Sequence, residues 1–349
     1  MIVKSKILRN HAKKLFNDVE PHSTTSDHNI LIRCVTLFPK NTLCNFAVAV
    51  ICLVLLGAEV CSAATLTEPS YRNAESTRQR YVPAELVKRV GKKYLKLRSQ
   101  IAMVYDERDD MPILERQIHR KSPIASLTKL MTAMVILDAN LNMDELISIT
   151  RADRDTVRYS RARLPEGITL TRSDMLMIAL AASENRAALS LSRTYPGGTK
   201  KFVEAMNNKA HYLRLKNTHF ADAAGLRNGN ESTAEDLVKL VKVAGDYSLI
   251  REFTTVQKDV VVDQVTGRIV KFINTNRLVR KDTWDISLSK TGFTSDAGNC
   301  LVMKVTLDSR PLIIVLLNSW GKLSKYGDTN RIKHWIHDAE AKARRLKLF

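Results

Sequence analysis

No apolar stretch in this 349-residue chain reaches the roughly 18 residues that suggest a membrane-spanning helix. Glycine (13) and proline (9) are sparse and no short period recurs, which excludes collagen-like, repeat and low-complexity architectures. Cysteine is scarce where it would matter. Four of the five, Cys34, Cys44, Cys52 and Cys61, precede residue 64, and Cys300 alone cannot form an internal bridge. Its apolar, alternating neighbours make it a buried, inert strand thiol rather than a nucleophile. Also missing are His-Glu-x-x-His, His-x-His, Gly-x-Ser-x-Gly, Gly-x-Gly-x-x-Gly and a Walker loop, which removes several enzyme classes. His334 and His337 lie three apart with Lys333 and Trp335 as neighbours and read as helix-surface residues, so no metal is expected.

What is present is ordinary for a folded protein, with 44% apolar and 26% charged residues. Basic residues (55) outnumber acidic ones (36), for a net charge of +19. Such an excess attracts polyanions, among them anionic lipid or a carboxylate-rich wall polymer. Nucleic acid is the poorest of these, because no zinc-finger spacing, RNP-type motif or clustered basic run occurs.

Phe46 to Ala58 is a 13-residue apolar run, preceded by Arg33 and Lys40 and followed by Cys61-Ser62-Ala63-Ala64. A basic flank, a short apolar core and small residues near a cut site make a secretory signal peptide, cleaved after Ala63 or Ala64. Export to the periplasm is the expectation, with no stable membrane anchor after cleavage. Residues 1–64 hold seven basic and four acidic residues, so the exported part keeps a net +16.

Residues 65–95 are polar and weakly periodic and read as a linker. Strands are expected at 101–105 and 113–118, then an almost wholly apolar, buried helix from Ser126 to about Ala139. Thr171-Arg-Ser-Asp174 and Ser232-Thr-Ala-Glu235 resemble capping boxes opening further helices. Strands return at 260–265, 286–289, 301–306 and 312–317, and a helix closes the chain over about 331–346. The fold class is therefore mixed α/β (α+β): an antiparallel sheet built from 96–140 and 255–349 and flanked by helices, a mainly helical part over 141–254, and a site in the cleft between them.

Three short motifs fall on the elements their chemistry needs: Ser126-Leu-Thr-Lys129, Ser183-Glu-Asn185 and Lys290-Thr-Gly292. At i and i+3 of a helix the Lys129 amine can reach the Ser126 hydroxyl and, once neutral, activate it. The exposed backbone N–H of Ser126 helps hold an oxyanion. Ser183 stands at a break between helices, where its hydroxyl could relay a proton and Asn185 could hold a substrate backbone. Glu184 reads as a solvated side chain. Lys290 and Thr291 end a strand and offer a charge and a hydroxyl to a carboxylate, and a strand edge suits an extended peptide. Gly292 removes a side chain where that strand approaches the helix. Each motif alone has a plainer reading, as a helix cap or a polar strand end.

In this order the motifs resemble the penicillin-recognising serine enzymes. Pro123 to Ala133, Phe220 to Leu226 and Lys290 to Thr294 with Ala297-Gly298 look like the low-molecular-mass penicillin-binding serine D,D-peptidases. Ser183 to Ala187, Tyr195-Pro-Gly-Gly198 and Asn274-Thr-Asn276 with Trp284 look most like their D-alanyl-D-alanine endopeptidase branch, of the penicillin-binding protein 7 type. The resemblance implies Ser126 as nucleophile, Lys129 as base, Ser183 as proton relay, Asn185 as a substrate contact, and Lys290 with Thr291 as carboxylate anchor. The backbone N–H groups of Ser126 and Phe293 would form the oxyanion hole. It implies a penicillin-recognising fold, no cofactor, peptidoglycan stem peptides as substrate, β-lactam antibiotics as covalent inhibitors, and hydrolysis of the D-alanyl–meso-diaminopimelate cross-link. Between Met206 and Asn230 there is no Glu of the kind with which class A β-lactamases deacylate, so slow release of a penicilloyl ester is expected. The short stretch after the last strand leaves no room for the extra β-domain often found in D,D-carboxypeptidases. Two other readings stay open: carboxypeptidase trimming of pentapeptide stems, and a non-catalytic wall-binding protein.

Overall fold

The computed structural model describes residues 81–91, 95–281 and 283–349; the segment expected to be a signal peptide, most of the expected linker and the four early cysteines lie outside them. The element order is α1 (Ala84–Val90), β1 (Ser99–Asp106), β2 (Met111–Arg116), β3 (Ser122–Pro123), a 3₁₀ turn (Ala125–Thr128), α2 (Lys129–Asp138), β4 (Leu146–Ser148), β5 (Thr169–Thr171), α3 (Arg172–Ala181), α4 (Asn185–Arg193) and α5 (Gly198–Tyr212). There follow β6 (Glu231–Ser232), α6 (Ala234–Ala244), α7 (Ser248–Thr255), β7 (Lys258–Val262), β8 (Ile269–Ile273), α8 (Arg277–Lys281), β9 (Asp285–Thr294), β10 (Gly298–Leu307), β11 (Arg310–Ser319) and α9 (Ser324–Arg345).

The main sheet is antiparallel, in the order β2-β1-β11-β10-β9, with Ile101 opposite Leu317 and Val302 opposite Lys290. Its three central strands, β1, β11 and β10, read as almost continuous apolar runs because both faces are covered. Alternation then divides their side chains between two cores. Ile101, Met103, Ile313, Val315 and Leu317 pack with α2 and the helical segments. Ala102, Val104, Leu312, Ile314 and Leu316 pack with α1 and α9. Arg310, fully buried, ties the two ends of the chain by pairing with Asp106 of β1 and Glu340 of α9.

Several boundaries differ from the sequence reading. Residues 84–90, expected as linker, form α1, which buries Val87 in the same core as Trp335, and a Cβ on Gly91 would stand 2.6 Å from the Trp335 ring. A seven-residue helix has too few turns to announce itself; docking on α9 makes it. The cap of α6 is Thr233, accepting from Asp236 N–H, one residue along from the expected Ser232. The strand expected at 260–265 ends at Val262 and pairs with β8, a five-residue run that the sequence reading missed and that leaves Ile269, Lys271 and Ile273 on an exposed face. The closing helix begins seven residues earlier than expected, at Ser324.

Candidate active site

The chain reaches Ser126 through β3, pinned to β6 by the Ser122–Ser232 and Pro123–Glu231 pairs and by Ile124 N–H donating to the Asn230 carbonyl at 3.0 Å. Ala125 then takes a left-handed φ of 48°, unusual for a side-chain-bearing residue. Gly225 makes that kink possible. A Cβ there would lie 1.9 Å from the Ala125 carbonyl oxygen, and its own φ is +80°. Ser126 sits on a 3₁₀ turn rather than in the first α-turn. With three residues per turn, i and i+3 eclipse, and Lys129 Nζ comes to 2.9 Å from Ser126 Oγ.

Lys129 is fully buried. Its ammonium donates to three oxygens: Ser126 Oγ, Asn185 Oδ1 at 2.7 Å and the Ala224 carbonyl at 2.7 Å. Burial dominates its titration and lowers its pKa to about 8, against the opposing pull of Asp222, Glu184 and Asp155. The partners decide where the lone pair goes when the proton leaves. The two carbonyl-type oxygens can only accept, so they keep two N–H bonds. Only the Ser126 hydroxyl can reverse and donate. Neutral Lys129 therefore points its lone pair at the Ser126 proton.

The Ala224 carbonyl is itself held in place. Asp222 accepts from the N–H groups of Ala224, Gly225, Leu226 and Arg227 and from Asn230 Nδ2, which folds residues 222–227 around one carboxylate. Thr132 Oγ1 donates to the Ala223 carbonyl at 2.6 Å. The sequence reading passed over this role, although Phe220 to Leu226 was among its matching segments. An Asp two residues before a tight turn was the available signal.

Ser183 lies between α3 and α4 with a left-handed φ of 59°. Its Oγ accepts from Lys290 Nζ at 2.9 Å. Lys290, on β9, is also buried, and burial together with the charges of Lys129, Lys325 and Arg163 puts its pKa well below the ordinary lysine value. Glu184 is not solvated as expected. It is 1% exposed, caps α4 by accepting from Arg186 N–H and also accepts from Arg163 N–H. A helix N-terminus rewards a buried carboxylate with backbone N–H groups, which outweighs the usual preference of glutamate for water. Asn185 spends its amide within the protein, donating to Ser160 Oγ at 2.8 Å while accepting from Lys129. Asp155 in turn accepts from Ser160 Oγ and N–H. Neither partner was singled out in the sequence.

β9 is one of the two edge strands of the sheet. At Gly292 it passes so close to the 3₁₀ turn that a Cβ would stand 2.9 Å from the Ile124 carbonyl and 3.1 Å from Ser126 N. Thr291 Oγ1 donates to Thr275 Oγ1 at 2.7 Å, and the Phe293 side chain is exposed. The structure thus brings Ser126, Lys129 and Asn185 into one bonded group and Ser183 with Lys290 into another. Gly292 joins them by its contact with the turn.

Comparison with known proteins gives a consistent result. The family described as D-alanyl-D-alanine carboxypeptidase matches residues 87–321. A D-alanyl-D-alanine endopeptidase of Pseudomonas aeruginosa is 40% identical over 247 residues, 71% of this chain and 80% of that one. One from Escherichia coli is 42% identical over 237 residues, 67% of this chain and 76% of its own. Among solved structures, penicillin-binding protein D2 from Listeria monocytogenes in its ampicillin-bound form superposes with a TM-score of 0.60 at 27% identity, covering 70% of this chain and 100% of that one.

Proposed function

The chain belongs to the D-alanyl-D-alanine carboxypeptidase family of serine peptidases, and from that premise we propose that it is a periplasmic D,D-endopeptidase that opens D-alanyl–meso-diaminopimelate cross-links of peptidoglycan through an acyl-enzyme at Ser126. The observation that carries this reading is the buried Lys129 amine, 2.9 Å from Ser126 Oγ and poised to titrate near 8.

Neutral Lys129 takes the hydroxyl proton as Ser126 Oγ attacks the D-alanyl carbonyl carbon. The carbonyl oxygen becomes an oxyanion facing the N–H groups of Ser126 and Phe293. As the C–N bond breaks, the departing amine takes, through Ser183, the proton that Lys129 accepted, which returns Lys129 to its neutral form; the Ser183 oxygen is steadied by Lys290 Nζ. Thr291, with Lys290 behind it, holds the carboxylate of the departing residue. Water then attacks the ester, giving a proton to neutral Lys129, which passes it to Ser126 Oγ as the acyl–oxygen bond breaks, restoring both groups. With a pKa of about 8, roughly a tenth of Lys129 is neutral at pH 7, enough for a base that recycles each turn.

A β-lactam presents a strained amide to the same hydroxyl, so it acylates Ser126. The Listeria neighbour in its ampicillin-bound form supports this extension. The names of the two relatives support cross-link cleavage, and that of the family favours a second reading, removal of the terminal D-alanine from pentapeptide stems.

Incubating the purified protein with cross-linked muropeptide dimers should yield monomers, and Ser126→Ala should abolish both this and labelling by a fluorescent penicillin. Intact dimers beside normally labelled wild type would overturn the endopeptidase reading. Free D-alanine from pentapeptide would then install the carboxypeptidase in its place.

A further inference from the structure

Beyond Thr291 the site opens into a groove of about 830 Å³, the size class that takes drug-sized ligands of roughly 300–1,000 Å³ and far more than one departing alanine needs. Thr275, which accepts the Thr291 hydroxyl, lines it, as does Phe293, so the groove is continuous with the carboxylate anchor. Five cations line it, Arg163, Arg277, Arg280, Lys322 and Lys325, and among the described residues that line it none is acidic. Of these only Arg163 has a carboxylate within 4.0 Å among the described residues, Glu184 at 3.9 Å.

Lys325 is the telling member. It is 6% exposed, yet among the described residues its ammonium donates only to Asn299 Oδ1, at 3.3 Å, and otherwise lies over the Tyr326 ring at 5.5 Å. Burying a cation without a counter-charge is costly. Burial and the nearby Lys322 lower its pKa to about 8, with Cys300 opposing. An arriving carboxylate would relieve that cost.

A single pentapeptide stem ends at the carboxylate held by Thr291. A cross-link does not, because its departing residue continues into a second stem. We propose that this groove binds that second stem, a peptide bearing free carboxylates, and thereby selects cross-linked substrate over single stems. The inference rests on the endopeptidase reading above.

The test uses Ser126→Ala to hold substrates uncleaved, with titration calorimetry of a muropeptide dimer and of a pentapeptide monomer. The dimer should bind more tightly, and Arg277→Gln with Lys322→Gln should shrink its advantage about tenfold, with an unchanged melting curve showing that the fold is kept. An equal loss for both ligands, or none for either, overturns the proposal. If wild type leaves dimers intact while Ser126→Ala binds them through Arg277 and Lys322, the endopeptidase reading falls and the groove assignment stands.

Discussion

Gly225 and Ala125 meet so closely that a methyl group on the first would stand 1.9 Å from the carbonyl oxygen of the second. The contact is backbone against backbone, so no side chain can swing away. Gly225→Ala should cost on the order of 3 kcal/mol, combining a positive-φ penalty with overpacking. Urea unfolding measures that loss. Penicillin labelling should disappear in any fraction that still folds, because the only relief is to move the kink that presents Ser126.

The titration of Lys129 sets the pH profile. Below its pKa of about 8 the amine is protonated and cannot accept the Ser126 proton. The acylation rate with a penicillin should therefore fall about tenfold for each pH unit below that point and level off above it. Lys129→Met should remove the limb and lower acylation by about 10²–10⁴. Stopped-flow acylation from pH 5 to pH 9 checks both.

Asp222 makes two effects separable. It is the first of the charges that raise the Lys129 pKa, and its carboxylate gathers the N–H groups of residues 224–227. Asp222→Asn loses one acceptor oxygen and a charge, so stability should fall by about 1–3 kcal/mol. The acid limb of acylation should move to lower pH in the same variant. A stability loss with an unmoved limb would show that Asp222 shapes the loop without acting on Lys129.

Gly292→Ala places a methyl group 2.9 Å from the Ile124 carbonyl and 3.1 Å from Ser126 N. β9 is an edge strand and can retreat, so folding should survive. Acylation should fall by about tenfold to a hundredfold, since a shift of even about 1 Å misaligns nucleophile and substrate. Thermal melting beside acylation kinetics distinguishes this from general destabilisation.

The parts of the site readable from sequence are those in which a residue type and its place on an element coincide. Ser126 and Lys129 share a helix start, Ser183 a helix break, and Gly292 a strand that must come close. The strands were legible because apolar runs mark a sheet covered on both faces, although the alternation that sends Ile101 and Ala102 into different cores was not. The missed features depend on partners remote in the chain. α1 exists because α9 receives it, and Glu184 is buried because Arg163 N–H and the start of α4 meet it. No local pattern announces either. The grip of Asp222 on the loop that carries the Ala224 carbonyl, which receives Lys129, was likewise invisible as a role.

The order β2-β1-β11-β10-β9 puts one of the last strands made beside one of the first, with Ile101 waiting for Leu317 across more than 200 residues. Closure over that span comes late in folding. A partly synthesised chain has Ser126 but no bridge from β1 to the strand that bears Lys290. The Lys290 side of the site stays detached until β10 and β11 tie β9 to β1. Timing thus comes free with the topology: a peptidase of this build acquires a complete site only once its last strands are in place.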